Sequence, residues 1–190
     1  MSEVQRASVA YPGGLTVRYR WGGSGSGEMV FALSEGGGDV VDHAALAGGD
    51  PGTTCRAELR VEGPSGAWTV RLASPIFDEP TGSLWDSEAQ LVVKYGFLAY
   101  GVSSRDGALR WSHRSGTPLL TVLGSPRLPH VLLQSEVETM ALDGSGAVLW
   151  RVAHSDVIAA AELVGGKLAL RSYGGVMSLL DPRDGRTLER

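Results

Sequence analysis

Val102-Ser103-Ser104-Arg105-Asp106-Gly107-Ala108-Leu109-Arg110-Trp111, Ala141-Leu142-Asp143-Gly144-Ser145-Gly146-Ala147-Val148-Leu149-Trp150 and Leu180-Asp181-Pro182-Arg183-Asp184-Gly185-Arg186-Thr187-Leu188-Glu189 align on one glycine. Gly107, Gly146 and Gly185 stand 39 residues apart. Trp111 and Trp150 each follow their glycine by four positions, and Glu189 takes that place in the third copy. A polar turn ending in glycine suits a hairpin with a type I turn and a bulge, whose last residue needs positive φ. Asp143 and Asp181, opening their turns, can accept hydrogen bonds from amides two residues on. An indole four residues along the return strand is placed to wedge between neighbouring sheets. A fixed period of this length marks one supersecondary unit used repeatedly.

The surrounding pattern agrees. Short apolar runs are interrupted by Gly, Asp, Pro and Ser every eight to twelve residues, the signature of many antiparallel strands. Leu91 to Tyr95, Val131 to Gln134 and Lys167 to Arg171 read as buried strands, with Thr139 to Leu142 and Val176 to Leu180 as hairpin partners. Asp156 to Val164 contains Ala159-Ala160-Ala161-Glu162, which has good helix propensity, but it is short and runs into Gly165-Gly166, so a strand and turn are predicted. Two fainter echoes lie upstream. Glu62-Gly63-Pro64-Ser65-Gly66-Ala67-Trp68 resembles the turn at Gly146, and Gly27 to Phe31 repeats the glycine-to-aromatic spacing.

The chain has 190 residues, 43% of them hydrophobic, enough to bury a core. No apolar run approaches the ~18 residues of a membrane-spanning helix. Met1 to Arg6 lacks a basic segment leading into an apolar one, so no secretory signal is expected. A net charge of -4 argues against a nucleic-acid backbone binder. Cys55 is the only cysteine, which forbids an intrachain disulfide and fits a cytoplasmic setting. The absence of Asn and the presence of only Lys94 and Lys167 as lysines suggest a GC-rich bacterial source. Positions of positive φ then fall to Asp or to the 27 glycines.

Ala141, Asp143, Gly146 and Trp150 resemble the tryptophan-docking motif of the quinoprotein (PQQ-type) β-propeller repeat, with one turn residue deleted. Asp181 and Gly185 keep its spacing without the Trp, and Gly107 and Trp111 match with Ser103 in place of the Asp. The resemblance covers residues 83 to 190 and implies an all-β fold of propeller-like antiparallel blades. It implies a packing device, not an activity. Quinoprotein alcohol dehydrogenases use adjacent cysteines, an Asn and a Glu on calcium, and an Asp base; one Cys and no Asn leave that site unbuildable, so no cofactor is expected. Two arrangements follow: about five compact blades, or an N-terminal β region over 1–80, in which two degenerate blades could lie, followed by three repeats over 81–190. A partial ring would expose sheet edges that a second subunit could pair, as in a homodimer.

Other features carry weaker chemistry. Gly22 to Gly27 suggests a phosphate loop but lacks the Lys-Ser/Thr ending and a following helix. His154-Ser155-Asp156 holds the residue types of a hydrolase triad, yet neighbours on a strand point to opposite faces and cannot relay a proton among themselves. His154 and Asp156 share a face and could pair, or join a metal with His113 or His43; no metal site is assigned. Trp85 lies among Asp78, Glu79, Asp86 and Glu88, a candidate recognition spot if exposed and a blade core residue if not. Arg105, Arg110, Arg114 and Arg127 form a basic group suited to edge protection or anion binding. The favoured reading is a non-enzymatic module presenting loops of a rigid scaffold to a protein partner, with neither nucleic acid nor membrane involved. The alternative is a small-ligand-binding or hydrolytic enzyme with a polar pocket where the blades converge.

Overall fold

The computed structural model describes residues 4–24, 30, 38–50 and 52–188. Gly27, Phe31 and Glu189 lie outside them. The described residues form four sheets distributed over two compact units, Met1–Pro80 with Val102–Leu109, and Thr81–Gly101 with Arg110–Arg190.

In the first unit, β1 (Gln5–Tyr11), β2 (Leu15–Gly22), β4 (Cys55–Gly63) and β5 (Gly66–Ser74) form an antiparallel meander. The short β3 (Asp39–Asp42) runs parallel to the outer edge of β5. Strict alternation decides the faces. Val17, Tyr19, Leu59, Val61, Trp68 and Val70 are buried on one side, while Arg18, Arg20, Glu58, Arg60, Glu62 and Arg71 occupy the other.

The second unit carries three smaller sheets. The first consists of β6 (Thr81–Trp85), β7 (Gln90–Tyr95), β8 (Leu98–Ser103) and β9 (Leu109–Arg114). The loop between β8 and β9 belongs to the first unit. The next consists of β10 (Leu119–Leu123), β11 (Val131–Ser135), β12 (Glu138–Leu142) and β13 (Val148–Ala153). The last consists of β14 (Ile158–Val164), β15 (Lys167–Ser172) and β16 (Met177–Leu180), with a bridge from Leu180 to Thr187 in place of a fourth strand. The alanine-rich stretch is therefore strand, as predicted from its length and its Gly-Gly ending.

Stacking explains why the inner strands read as unbroken apolar runs. One cluster joins Val92, Ala99 and Trp111 to Val131, Leu133 and Met140; the next joins Leu132 and Ala141 to Leu168, Leu170 and Leu180. Successive residues of β11 thus serve opposite faces, and both are buried. A sheet covered on both sides needs apolar side chains at every position rather than at alternate ones.

Candidate functional site

The repeated turns do the same job with different atoms. Gly107, Gly146 and Gly185 adopt φ of 73°, 83° and 76°, where an L side chain is strained. The residue opening each turn holds it shut. Ser103 Oγ accepts from the Arg105 amide at 3.3 Å, and Asp143 Oδ1 from the Ser145 and Ala147 amides at 2.9 and 3.0 Å. Asp181 Oδ1 accepts from the Arg183 amide at 2.9 Å while the Arg183 guanidinium grips both carboxylate oxygens. The Ser145 hydroxyl and these amides hold Asp143 below the usual carboxylate range, and Arg183 brings Asp181 down to about 2.

Each indole lies over the glycine of the following turn rather than its own. A Cβ on Gly146 would sit 2.7 Å from Trp111 Cγ, one on Gly185 2.7 Å from Trp150 Cε3, and one on Gly107 2.5 Å from Trp68 Cε3. Trp68 follows its own turn glycine by two residues instead of four, yet docks in the same manner. Its Nε1 donates directly to Ser104 O at 3.3 Å. Trp111 Nε1 instead donates to Gln90 Oε1 at 2.8 Å, and Gln90 Nε2 donates onward to Gly144 O at 2.7 Å. At the position equivalent to Gln90 stands His130, whose Nε2 donates to Pro182 O at 2.7 Å and whose ring meets Trp150 edge-on at 6.1 Å. Trp150 Nε1 is left buried without an acceptor. Gln90 and His130 were not legible as a pair because their residue types differ, although Gln90 opens β7 and His130 immediately precedes β11.

His154 and Asp156 are near in sequence but committed to separate partners. Thr139 Oγ1 donates to Gln134 Oε1, so it accepts from His154 Nε2–H at 2.7 Å and fixes that tautomer. Burial lowers the His154 pKa, with Glu138 opposing. His113 is lowered likewise by burial and by Arg151, again against Glu138. The oxygens of Asp156 accept from the Val157 and Gly174 amides at 2.8 and 3.3 Å; the Ser172 hydroxyl foremost, and these amides with it, hold its pKa low. Asp156 therefore ties the loop before β14 to the β15–β16 turn. No three His, Cys, Asp or Glu side chains gather closely enough to hold a metal among the described residues. His43 Nε2 faces Gly107 O at 3.3 Å.

Beside this tie an open pocket of about 280 Å³ is lined by His154, Asp156, Ser172 and Val176. Next to it Tyr173 is 77% exposed and Val176 64%, with Val157 and Met177 also exposed. The turn beneath is well fixed: Tyr173 N–H donates to Val157 O at 2.8 Å and Val176 N–H to Ser172 Oγ at 3.2 Å.

Trp85 is a core residue, 8% exposed and packed in the cluster with Val92 and Trp111. The short helical turn Asp86–Glu88 carries its acids outward while the indole turns in. The reading of Trp85 as a surface anchor therefore gives way to the core alternative. Arg105, Arg110, Arg114 and Arg127 are all exposed, and Arg127 lines a depression with Arg183.

The denser basic feature is the polar face of the first unit's sheet. Arg6 pairs in register with Arg20, and Arg18 with Arg60. Glu58, 1% exposed, receives Arg20 at 2.9 Å and Arg71 at 3.3 Å. Glu62 receives Arg60 at 3.1 Å and Arg18 at 3.4 Å. Arg6, Ser8, Arg18, Arg20 and Arg60 line an open depression of about 390 Å³. The alternation Val17-Arg18-Tyr19-Arg20-Trp21 and Cys55-Arg56-Ala57-Glu58-Leu59-Arg60-Val61-Glu62 was the signal in the sequence.

No protein-family profile and no curated protein matches the chain. Among solved structures it is similar to BamB from Moraxella catarrhalis, a PQQ-like β-propeller, at 16% identity and a TM-score of 0.54 over 98% of this chain and 67% of that one. It is similar to HIRA(644-1017) at 10% identity and a TM-score of 0.53, over 99% of this chain and 53% of that one. The computationally designed Ika8 protein gives 13% identity and a TM-score of 0.56 over 72% of this chain and 45% of its own. The chain spans about half the length of the last two. These likenesses show an all-β, propeller-like fold. No helix among the described residues is long and apolar enough to cross a membrane.

Proposed function

We propose that the chain is a non-enzymatic protein-interaction module built on PQQ-like blades, with residues 1–80 as an N-terminal β region and 81–190 as three repeats. The observation that carries this reading is Tyr173, 77% exposed beside exposed Val176 and Val157 on a turn that Asp156 ties in place. An aromatic ring offers large contact area for little lost entropy, and a pre-fixed turn reduces the cost of binding further. The adjoining pocket is the place for the enzymatic alternative, but His154 Nε2 is engaged by Thr139 and Asp156 by amides, so the two do not make an acid–base pair there. Cys55, buried as a free thiol, supports a cytoplasmic setting.

A photo-crosslinking residue at Tyr173, introduced into the full chain in its native host, tests the reading. A discrete adduct that the Val176→Ser variant no longer forms is expected. The same adducts from the variant, or crosslinks to the chain itself alone, would overturn a heterologous partner at this turn. Light scattering identifies the second case as the homodimer.

A further inference from the structure

We infer that the first unit carries a second binding site, for an extended acidic peptide lying along the outer edge of β1 and across the arginines beside it. The Tyr173 turn plays no part in it. The case begins with charge. The chain as a whole is at -4, yet among the described residues one sheet face gathers Arg6, Arg18, Arg20, Arg56, Arg60 and Arg71 beside Glu58, Glu62 and Asp42. Two pairs of guanidiniums, Arg6 with Arg20 and Arg18 with Arg60, are direct cross-strand neighbours. Like charges so placed repel, and an anion between them relieves that repulsion. The two glutamates are already divided between pairs of arginines, and Arg6 faces no carboxylate among the described residues.

Geometry then selects the kind of anion. β1 ends the sheet, its side chains are mostly exposed, and no strand pairs with its outer edge among the described residues. Alternate N–H and C=O groups of an edge strand point outward, ready to bond another strand. A peptide added there places every second side chain on one face, roughly 7 Å apart. Carboxylates at that spacing would stand over the depression that Arg6, Ser8 and Arg18 line. A nucleic acid fits less well. It cannot use the strand edge, Glu58 and Glu62 would face its phosphates, and the face carries no aromatic ring for stacking a base among the described residues.

Fluorescence anisotropy of the full chain with a labelled peptide alternating Glu and Val provides the test. The Glu–Val peptide is expected to bind and its Gln–Val counterpart not. The double variant Arg6→Glu, Arg18→Glu should weaken binding by about tenfold or more, and raised salt should act in the same direction. The milder pair Arg6→Gln, Arg18→Gln, with unchanged circular dichroism, covers the event that charge reversal unfolds the sheet. A Glu–Val peptide N-methylated at alternate residues keeps its charge but cannot pair along β1, and should bind about tenfold more weakly. Absent binding, equal binding of the Gln–Val or N-methylated peptide, indifference to both variants, tighter binding of an oligothymidylate, or full displacement by inorganic phosphate would each overturn the inference.

Discussion

Gln90→Leu tests the hydrogen-bond relay that seats one blade indole. Gln90 is 5% exposed and joins Trp111 Nε1 to Gly144 O through bonds of 2.8 and 2.7 Å. Leucine keeps most of the volume and removes both partners. The Trp111 N–H, in a residue only 6% exposed, then has no acceptor. A buried donor stranded in this way costs about 1–3 kcal/mol. Gly144 is half-exposed and can turn to water, so its carbonyl adds only a fraction of that. A total of about 1.5–3.5 kcal/mol follows, or roughly 3–14 °C in Tm for a chain of this size. Urea unfolding and calorimetry measure both quantities. A double-mutant cycle with Trp111→Phe isolates the bond, and about 1 kcal/mol or more of coupling is expected. The next repeat supplies a control of opposite sign. His130→Gln gives Trp150 Nε1 an acceptor and keeps a donor for Pro182 O, gaining about 1–3 kcal/mol against about 0.5–1.5 lost with the edge-on ring contact. Additivity of Gln90→Leu and Trp111→Phe within about 0.5 kcal/mol would refute the relay.

Three further outcomes are specific. Gly146→Ala should cost about 2 kcal/mol or more, because it combines positive φ with overlap on Trp111; Gly165→Ala, at positive φ in open space, should cost only about 1 kcal/mol by the same unfolding assay. Glu58→Ala leaves Arg20 and Arg71 without their shared, buried carboxylate and should destabilise the first unit's sheet by about 3–5 kcal/mol, read as early loss of hydrogen-exchange protection in β2 and β4. His154 and His113 should titrate below their ordinary 6.5 by NMR. Their folded forms favour the neutral ring, so the stability they contribute is complete above 6.5 and declines as pH falls through the folded values. A His154 midpoint at or above 6.5 would contradict the burial of its ring.

The repeated turn was legible because its requirement is local. A positive φ at a fixed place demands glycine, and an acceptor two residues before the next amide demands Ser or Asp, so Ser103, Asp143 and Asp181 with Gly107, Gly146 and Gly185 declare themselves without any knowledge of tertiary structure. What the indole packs on is not local. Trp111 answers to Gly146, 35 residues on, and sequence spacing alone does not say whether an indole docks on its own turn or the following one. Trp68 shows the limit of spacing from the other direction. Its offset from Gly66 breaks the repeat pattern, yet the ring still covers the Gly107 turn, because docking depends on where β5 brings the ring and not on how many residues follow the turn.

The candidate sites divide along the same line. Acidic neighbours left Trp85 open between a surface spot and a blade core, because charge on a helical turn says where the turn points, and the residue before it is free to point the other way. The arginine face was written in plain alternation over β2 and β4, and only the pairing register makes it a feature: a slip of one residue would send Arg18 and Arg20 to the core and Tyr19 and Trp21 to water. That register is enforced by the apolar face, with Val17 against Val61 and Tyr19 against Leu59. The hydrophobic core thus sets where the guanidiniums stand, including the like-charged pairs that gain nothing from one another. Arg6 and Arg20, like Arg18 and Arg60, thus stand side by side because of what packs on the opposite face, and an acidic strand laid along β1 would meet them already in place.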